Sequence, residues 1–132
     1  MKCLLDSHSF LWAVFDPDKL SEPARDAIVR PENDVFVSVV TFWEISLKYG
    51  LGKLLLPKTD PEDLPGVAKQ MGMNTLDLNP LEAAGFHRLP GRAHRDPFDR
   101  LLFWQAIQRK LTLISKDRAL DAYSEYGLRT FW

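Results

Sequence analysis

The chain lacks the means for several common kinds of scaffold and site. It has one cysteine, Cys3, so no disulfide can close within it. Its three histidines do not stand at metal-ligand spacing. It has no excess of either charge: Lys+Arg 17 against Asp+Glu 18 gives a net charge of −1. That balance excludes a basic nucleic-acid coat, and any contact with nucleic acid has to come from a local patch. No apolar run approaches the roughly 20 residues that a membrane span needs. The apolar stretch after Lys2 is interrupted by Asp6 and His8, and no small-residue cleavage site follows Phe15. It therefore does not read as a secretory signal. With a lone cysteine and no membrane segment, the expected setting is the reducing cytoplasm. Gly50-Leu51-Gly52 lacks the third glycine of a dinucleotide fingerprint, and there is no P-loop. Internal repeats, low-complexity segments and linkers are missing too.

What remains is 132 residues, 45% hydrophobic and 27% charged. That suits one domain spanning 1–132, long enough to build a core without staples. Short apolar strands alternate with helices along it. Cys3 to Leu5 reads as a buried strand ending at Asp6. Ser7 opens a helix through Phe15 as its N-cap. Ser21 caps a second helix. Val35 to Ser38 is a second strand, rich in β-branched and aromatic residues. A helix from about Val40 to Tyr49 follows and stops at Gly50. After a proline-marked loop come a helix near Leu64–Met71, a short strand at Asn74–Leu78 and a helix at Pro80–Phe86. Asp96-Pro97 opens the clearest helix, which runs through Lys110. Leu111–Ser115 is a strand, Arg118–Tyr123 a short helix and Leu128–Trp132 a last strand. This alternation predicts an α/β fold with parallel crossovers and a sheet covered on both faces.

Ligands of open α/β sheets bind beyond the carboxyl ends of the strands. Carboxylates collect at that rim: Asp6, Glu44, Asp96, Asp99 and Asp117, while the predicted strand interiors hold none. Two carboxylates about 4 Å apart repel by roughly 4 kcal/mol at an effective dielectric of about 20, so a proton, an arginine or a cation has to offset them. Oxygen ligands without histidine or cysteine suit Mg²⁺ or Mn²⁺ rather than zinc. Each residue also has a plainer role open to it. Asp6 can cap a helix, Glu44 can complete a capping box with Thr41, Asp96 suits helix entry, Asp99 can pair with Asp96, and Asp117 can cap the next helix. Ser7 and Ser115 are hydroxyls beside Asp6 and Asp117, able to hold a carboxylate or to cap. Arg92, His94 and Arg95 form a basic stretch that either grips phosphates or is solvated. Lys48, Lys53, Lys58, Lys116 and Arg118 can extend a basic rim but read first as scattered surface charge. Trp12, Phe15, Phe42, Trp43 and Trp104 read mostly as core, with some left for a partner surface.

These residues carry a resemblance. Leu4-Leu5-Asp6-Ser7-His8, Val37-Ser38, Trp43-Glu44-Ile45 and Leu51-Gly52-Lys53-Leu54 come in order. His94-Arg95-Asp96-Pro97-Phe98-Asp99-Arg100-Leu101-Leu102, Gln105-Ala106 and Leu113-Ile114-Ser115-Lys116-Asp117-Arg118 follow. So ordered, the chain resembles the PIN-domain ribonucleases, specifically the VapC-like toxins of type II VapBC toxin–antitoxin modules. The Asp-Pro-Phe-Asp-Arg-Leu-Leu segment is the most specific part. The resemblance implies a PIN-like three-layer α/β/α sandwich with a central, mostly parallel sheet. It implies an acidic quartet of Asp6, Glu44, Asp99 and Asp117 for Mg²⁺ or Mn²⁺, with Asp96 supporting. It also implies an RNA substrate, a homodimer and a cognate VapB-like antitoxin. The chain departs from the pattern at Ser7 and Ser115, where threonine is common, and at Phe103-Trp104, where smaller aliphatics are common. No ligand is lost.

The main expectation is therefore a metal-dependent endoribonuclease in which a water activated by the metal attacks an RNA phosphodiester. A non-catalytic PIN-fold protein-binding module is the alternative. A phosphohydrolase working through an aspartyl-phosphate would want a second aspartate at position 8, which is His8.

Overall fold

A computed structural model describes residues 1–91 and 96–132. Arg92, His94 and Arg95 therefore lie outside the described residues. Five strands form one sheet in the order β3-β2-β1-β4-β5. They are β1 (Lys2–Leu5), β2 (Asp34–Ser38), β3 (Asn74–Leu76), β4 (Thr112–Ile114) and β5 (Arg129–Phe131). Every pairing among them is parallel, so the mixed component allowed for in the sequence reading is absent among the described residues.

Among the described residues six α-helices connect and cover the sheet: α1 (Ser7–Phe15), α2 (Glu22–Val29), α3 (Val39–Gly50), α4 (Leu64–Gln70), α5 (Pro80–Gly85) and α6 (Pro97–Arg109). Where a short helix was expected over Arg118–Tyr123, Arg118–Tyr126 is a run of 3-10 turns. It ends at Gly127, whose φ of 98° is a left-handed turn that a side chain would strain.

The strands alternate their side chains between two apolar layers, as a period of two requires. Cys3 and Leu5 face one layer with Val35, Val37, Phe10 of α1, Ala24 and Ile28 of α2, Ile45 of α3 and Leu64 of α4. Leu4 faces the other with Leu113, Leu102, Phe103 and Ala106 of α6, and Leu120 and Tyr123 of the 3-10 run. Helices on both faces make the three-layer α/β/α sandwich.

Strand β1 is buried on both sides, with Cys3, Leu4 and Leu5 all 0% exposed. This is why it reads as an unbroken apolar run rather than an alternation. Helix α6 does not confine its buried residues to one stripe. Leu102 through Ala106 are all buried, Gln105 among them. Its start is set by chemistry rather than periodicity: Asp96 Oδ1 accepts from the Phe98 and Asp99 amides at 2.9 and 3.2 Å, and Pro97 occupies the first helical position.

Candidate functional site

The chain begins in the middle of the sheet. From β1 it builds outward to β2 and β3, then returns to the other side of β1 with β4 and β5. Connections from β1 and β4 thus diverge, and a crevice opens where their carboxyl ends lie side by side. Leu5 of β1 is in register with Ile114 of β4, so the next residues, Asp6 and Ser115, sit at that crevice. The Asp6 amide donates to the Ile114 carbonyl at 3.2 Å, and Ser9 Oγ donates to the same oxygen at 3.1 Å.

A cleft of about 450 Å³ occupies this place. Asp6 comes to it from the end of β1, Asp99 from the first turn of α6, and Asp117 and Ser115 from the end of β4. His8, Trp12, Phe103 and Lys116 complete its lining. The His8 and Trp12 rings lie 5.7 Å apart, tilted by 44°. Three carboxylates far apart in sequence therefore share one opening.

Two of these carboxylates also do the local work that was the plainer reading. Asp6, not Ser7, is the N-cap of α1, its Oδ1 accepting from the Ser9 amide at 2.8 Å. Asp117 Oδ1 accepts from the Ala119 amide at 2.9 Å, while the Asp117 amide donates to Ser115 Oγ at 3.2 Å. A cap of this kind engages one carboxylate oxygen, so capping and cation binding are compatible in the same side chain. Asp96 caps α6 and thereby fixes the turn that carries Asp99.

Glu44 is placed differently. It is 4% exposed on α3 and lines a neighbouring cavity of about 190 Å³ with Ser7, Lys48 and Lys53. His8 lines both spaces. Ser7 is buried in the first turn of α1. Its Oγ donates to Glu44 Oε1 at 2.6 Å and lies 3.3 Å from Thr41 Oγ1. Thr41 is not the cap of α3, because Ser38 Oγ takes the Val40 amide at 3.1 Å. The capping-box reading of Glu44 is thereby corrected. Glu44 Oε2 pairs with the Lys48 ammonium one turn along the helix. Burial pulls the Lys48 pKa down, but the hydrogen bond and charge of Glu44, joined by the charges of Asp96 and Asp99, leave it above its ordinary value.

A cation-binding role was tested against this arrangement. The donors are all oxygens from carboxylates and hydroxyls, which suits a hard divalent ion. With the side chains as they stand, no group of three or more His, Cys, Asp or Glu among the described residues is close enough to hold one. The quartet is split: Asp6, Asp99 and Asp117 share the cleft, and Glu44 is drawn into its own cavity by Ser7 and Lys48.

Three features of the site escaped the sequence. Lys48 is a partner of Glu44 rather than scattered charge, and the i,i+4 spacing was its only signal. Gln105, fully buried, accepts from Ser38 Oγ at 2.6 Å and donates to the Asp77 carbonyl at 3.1 Å, joining α6 to the ends of β2 and β3. Trp43, expected mostly as core, is 61% exposed and meets Phe98 edge-on at 5.1 Å. Trp104 is core as expected, donating from its indole to the Glu82 carbonyl at 3.0 Å.

Comparison with known proteins agrees with this architecture. The PIN domain family profile matches residues 3–126. Ribonuclease VapC22 of Mycobacterium tuberculosis is 29% identical over 129 residues, covering 98% of this chain and 97% of that protein. Two structures superpose over nearly the full length. VapBC2 from Rickettsia felis, bound to a DNA fragment from its promoter, gives a TM-score of 0.69 at 13% identity and covers 99% of this chain and 98% of that one. DNA-bound VapBC from Salmonella typhimurium gives 0.68 at 20%, covering 99% and 97%. At those identities the two structures speak for the fold. Among the described residues no helix is long and apolar enough to cross a membrane.

Proposed function

This chain belongs to the PIN domain family, and from that premise we propose that it is a divalent-metal-dependent endoribonuclease, the VapC-like toxin of a toxin–antitoxin pair. The observation that carries the proposal is the shared cleft. Asp6, Asp99 and Asp117 reach it from three separate segments at the point where the sheet's connections diverge. The likeness to Ribonuclease VapC22 over 98% of the chain supports the same reading.

Asp6 and Asp99 would hold the ion, Mg²⁺ or in its place Mn²⁺, with Glu44 and Asp117 completing the set or orienting the attacking water. When bound, such an ion offsets charge developing on a phosphodiester and makes water a better nucleophile at neutral pH. The chain's own residues supply the geometry. Asp96 fixes the turn bearing Asp99, Ser7 fixes one oxygen of Glu44, and Ser115 accepts from the Asp117 amide. Arg92, His94 and Arg95 are assigned to the RNA phosphates by charge and by their place just before the acidic helix start. The partners that go with this reading are RNA, a VapB-like antitoxin and a second copy of the chain, in the cytoplasm.

A non-catalytic binding module is the second reading, favoured by Trp43 and Leu47 of α3 and Leu51 just after it, exposed at 61%, 41% and 61%. A toxin needs a partner surface as well, so exposure alone does not separate the two readings. Cleavage does. Purified chain is incubated with RNA in Mg²⁺, in EDTA, and in EDTA with Mg²⁺ restored. The enzyme reading expects cleavage in the first and third only, and none from Asp99→Asn. Intact RNA throughout, from folded protein, leaves the binding module.

A further inference from the structure

Lys48 stands where the acidic site divides. Its partner Glu44 is 4% exposed and has both carboxylate oxygens engaged, Oε1 by Ser7 and Oε2 by Lys48. An exposed Glu–Lys pair one turn apart is worth only a few tenths of a kcal/mol. This pair differs because the carboxylate is buried, and a buried charge demands a partner. The lysine also answers to the second helix of the site: the charges of Asp96 and Asp99 on α6 act on its ammonium together with that of Glu44. Asp99 itself lines the main cleft. The cavity that holds this pair adjoins the cleft of Asp6 and Asp99, with His8 lining both. The Lys48 side chain is 38% exposed, so it has a route to solvent that Glu44 lacks.

From this we infer that Lys48 is an internal counter-cation that competes with the divalent ion for Glu44 and so sets the metal affinity of the site. The inference rests on the metal-nuclease reading above and deepens it. While the ammonium holds Glu44, that carboxylate belongs to the smaller cavity. When an ion takes up Asp6 and Asp99, Glu44 joins them only as Lys48 lets go. Lys48 is a positioning residue in this scheme, since it acts through Glu44.

The test is Mn²⁺ binding in the absence of RNA, by calorimetry and by the loss of the free-ion spin-resonance signal, at fixed ionic strength. Lys48→Met is expected to tighten Mn²⁺ binding about tenfold, because Glu44 then has no ammonium to hold it away from the ion. Lys48→Gln should do the same, and Lys48→Arg, which keeps the charge, should bind like wild type. Lys53→Met removes a cation from the same cavity without touching the pair, and should change little. In a Glu44→Gln background most of the gain from Lys48→Met should vanish. Unchanged or weaker Mn²⁺ binding by folded Lys48→Met and Lys48→Gln overturns the inference, as does an equal gain from Lys53→Met. If wild type and all variants fail to bind Mn²⁺, the metal reading itself falls and takes this inference with it.

Discussion

Ser7 Oγ donates to Glu44 Oε1 across 2.6 Å, tying the first turn of α1 to the middle of α3 at a point where both side chains are buried. A hydrogen bond to a charged acceptor is worth about 1.5–3 kcal/mol, and leaving a buried carboxylate oxygen unmet costs a similar amount. Ser7→Ala should therefore lower unfolding free energy by about 2 kcal/mol in urea titrations. Ser7→Thr keeps the hydroxyl and should recover most of that loss.

Asp6 caps α1 and, in the proposed function, holds the ion, and substitution can separate the two roles. Asparagine caps a helix about as well as aspartate, whereas alanine does not. Asp6→Asn should leave stability within about 0.5 kcal/mol of wild type yet lower RNA cleavage by at least about a hundredfold. Asp6→Ala should lose the same activity and about 1 kcal/mol of stability besides. Thermal melts run beside cleavage assays separate the two effects.

Glu82 on α5 is a buried charge outside the cleft of Asp6, Asp99 and Asp117. It is 5% exposed, pairs with Arg109 Nε at 2.6 Å, and closes a capping box with Asn79. Burial pushes its pKa up, but hydrogen bonds and charge from Arg109, with help from Asn79 and Gln105, win and leave it below the ordinary value of 4.5. A depressed carboxylate pKa means stability that is present above the unfolded value and lost as pH falls through the folded one. Wild type should thus lose stability on acidification below about pH 4.5. Glu82→Gln should be weaker by about 3 kcal/mol at pH 7 and show a smaller acid slope. Equal slopes for the two proteins would contradict the assignment.

Gln105 is held by groups at both ends. Its Oε1 accepts from Ser38 and its Nε2 donates to the Asp77 carbonyl, both within hydrogen-bond range in a wholly buried place. Gln105→Leu conserves bulk but strands those two partners, and should cost about 2–4 kcal/mol. Adding Ser38→Ala to it should cost less than the sum of the single changes, because one of the stranded groups goes with it.

The basic stretch before α6 offers a separate check on RNA binding. Neutralising Arg92 and Arg95 should weaken RNA binding across sequences. It should also reduce the slope of log K against log salt by about 0.7 for each lost phosphate contact to single-stranded RNA. Binding that keeps its salt slope would remove these residues from the RNA path.

Much of this site was legible because its signals are local. Asp6 stands directly after the apolar run Cys3–Leu5 of β1, and Asp96-Pro97 announces a helix start that carries Asp99. Helix α6 could be bounded by those end signals even though Leu102 to Ala106 are buried without a polar face. Other features were hidden because they join segments far apart. In the sequence the Ser7 hydroxyl can cap or hold a carboxylate, and only the fold makes that carboxylate Glu44, 37 residues on. Gln105 looked like a polar residue of a helix until the fold set Ser38 against it, 67 residues back. Lys48 was misread for another reason. A Glu–Lys pair one turn apart is usually solvated, and only the burial of Glu44, a product of packing, turns it into a feature of the site.

The account stands on a divalent cation shared by carboxylates from different segments of the sheet's carboxyl rim. Anomalous scattering from crystals soaked in Mn²⁺ tests this directly. A peak bridging the carboxylates of Asp6 and Asp99, at roughly 2.0–2.4 Å from an oxygen of each, is the predicted result. A saturating soak that leaves this cleft without a peak, or puts the ion against other residues, would contradict it.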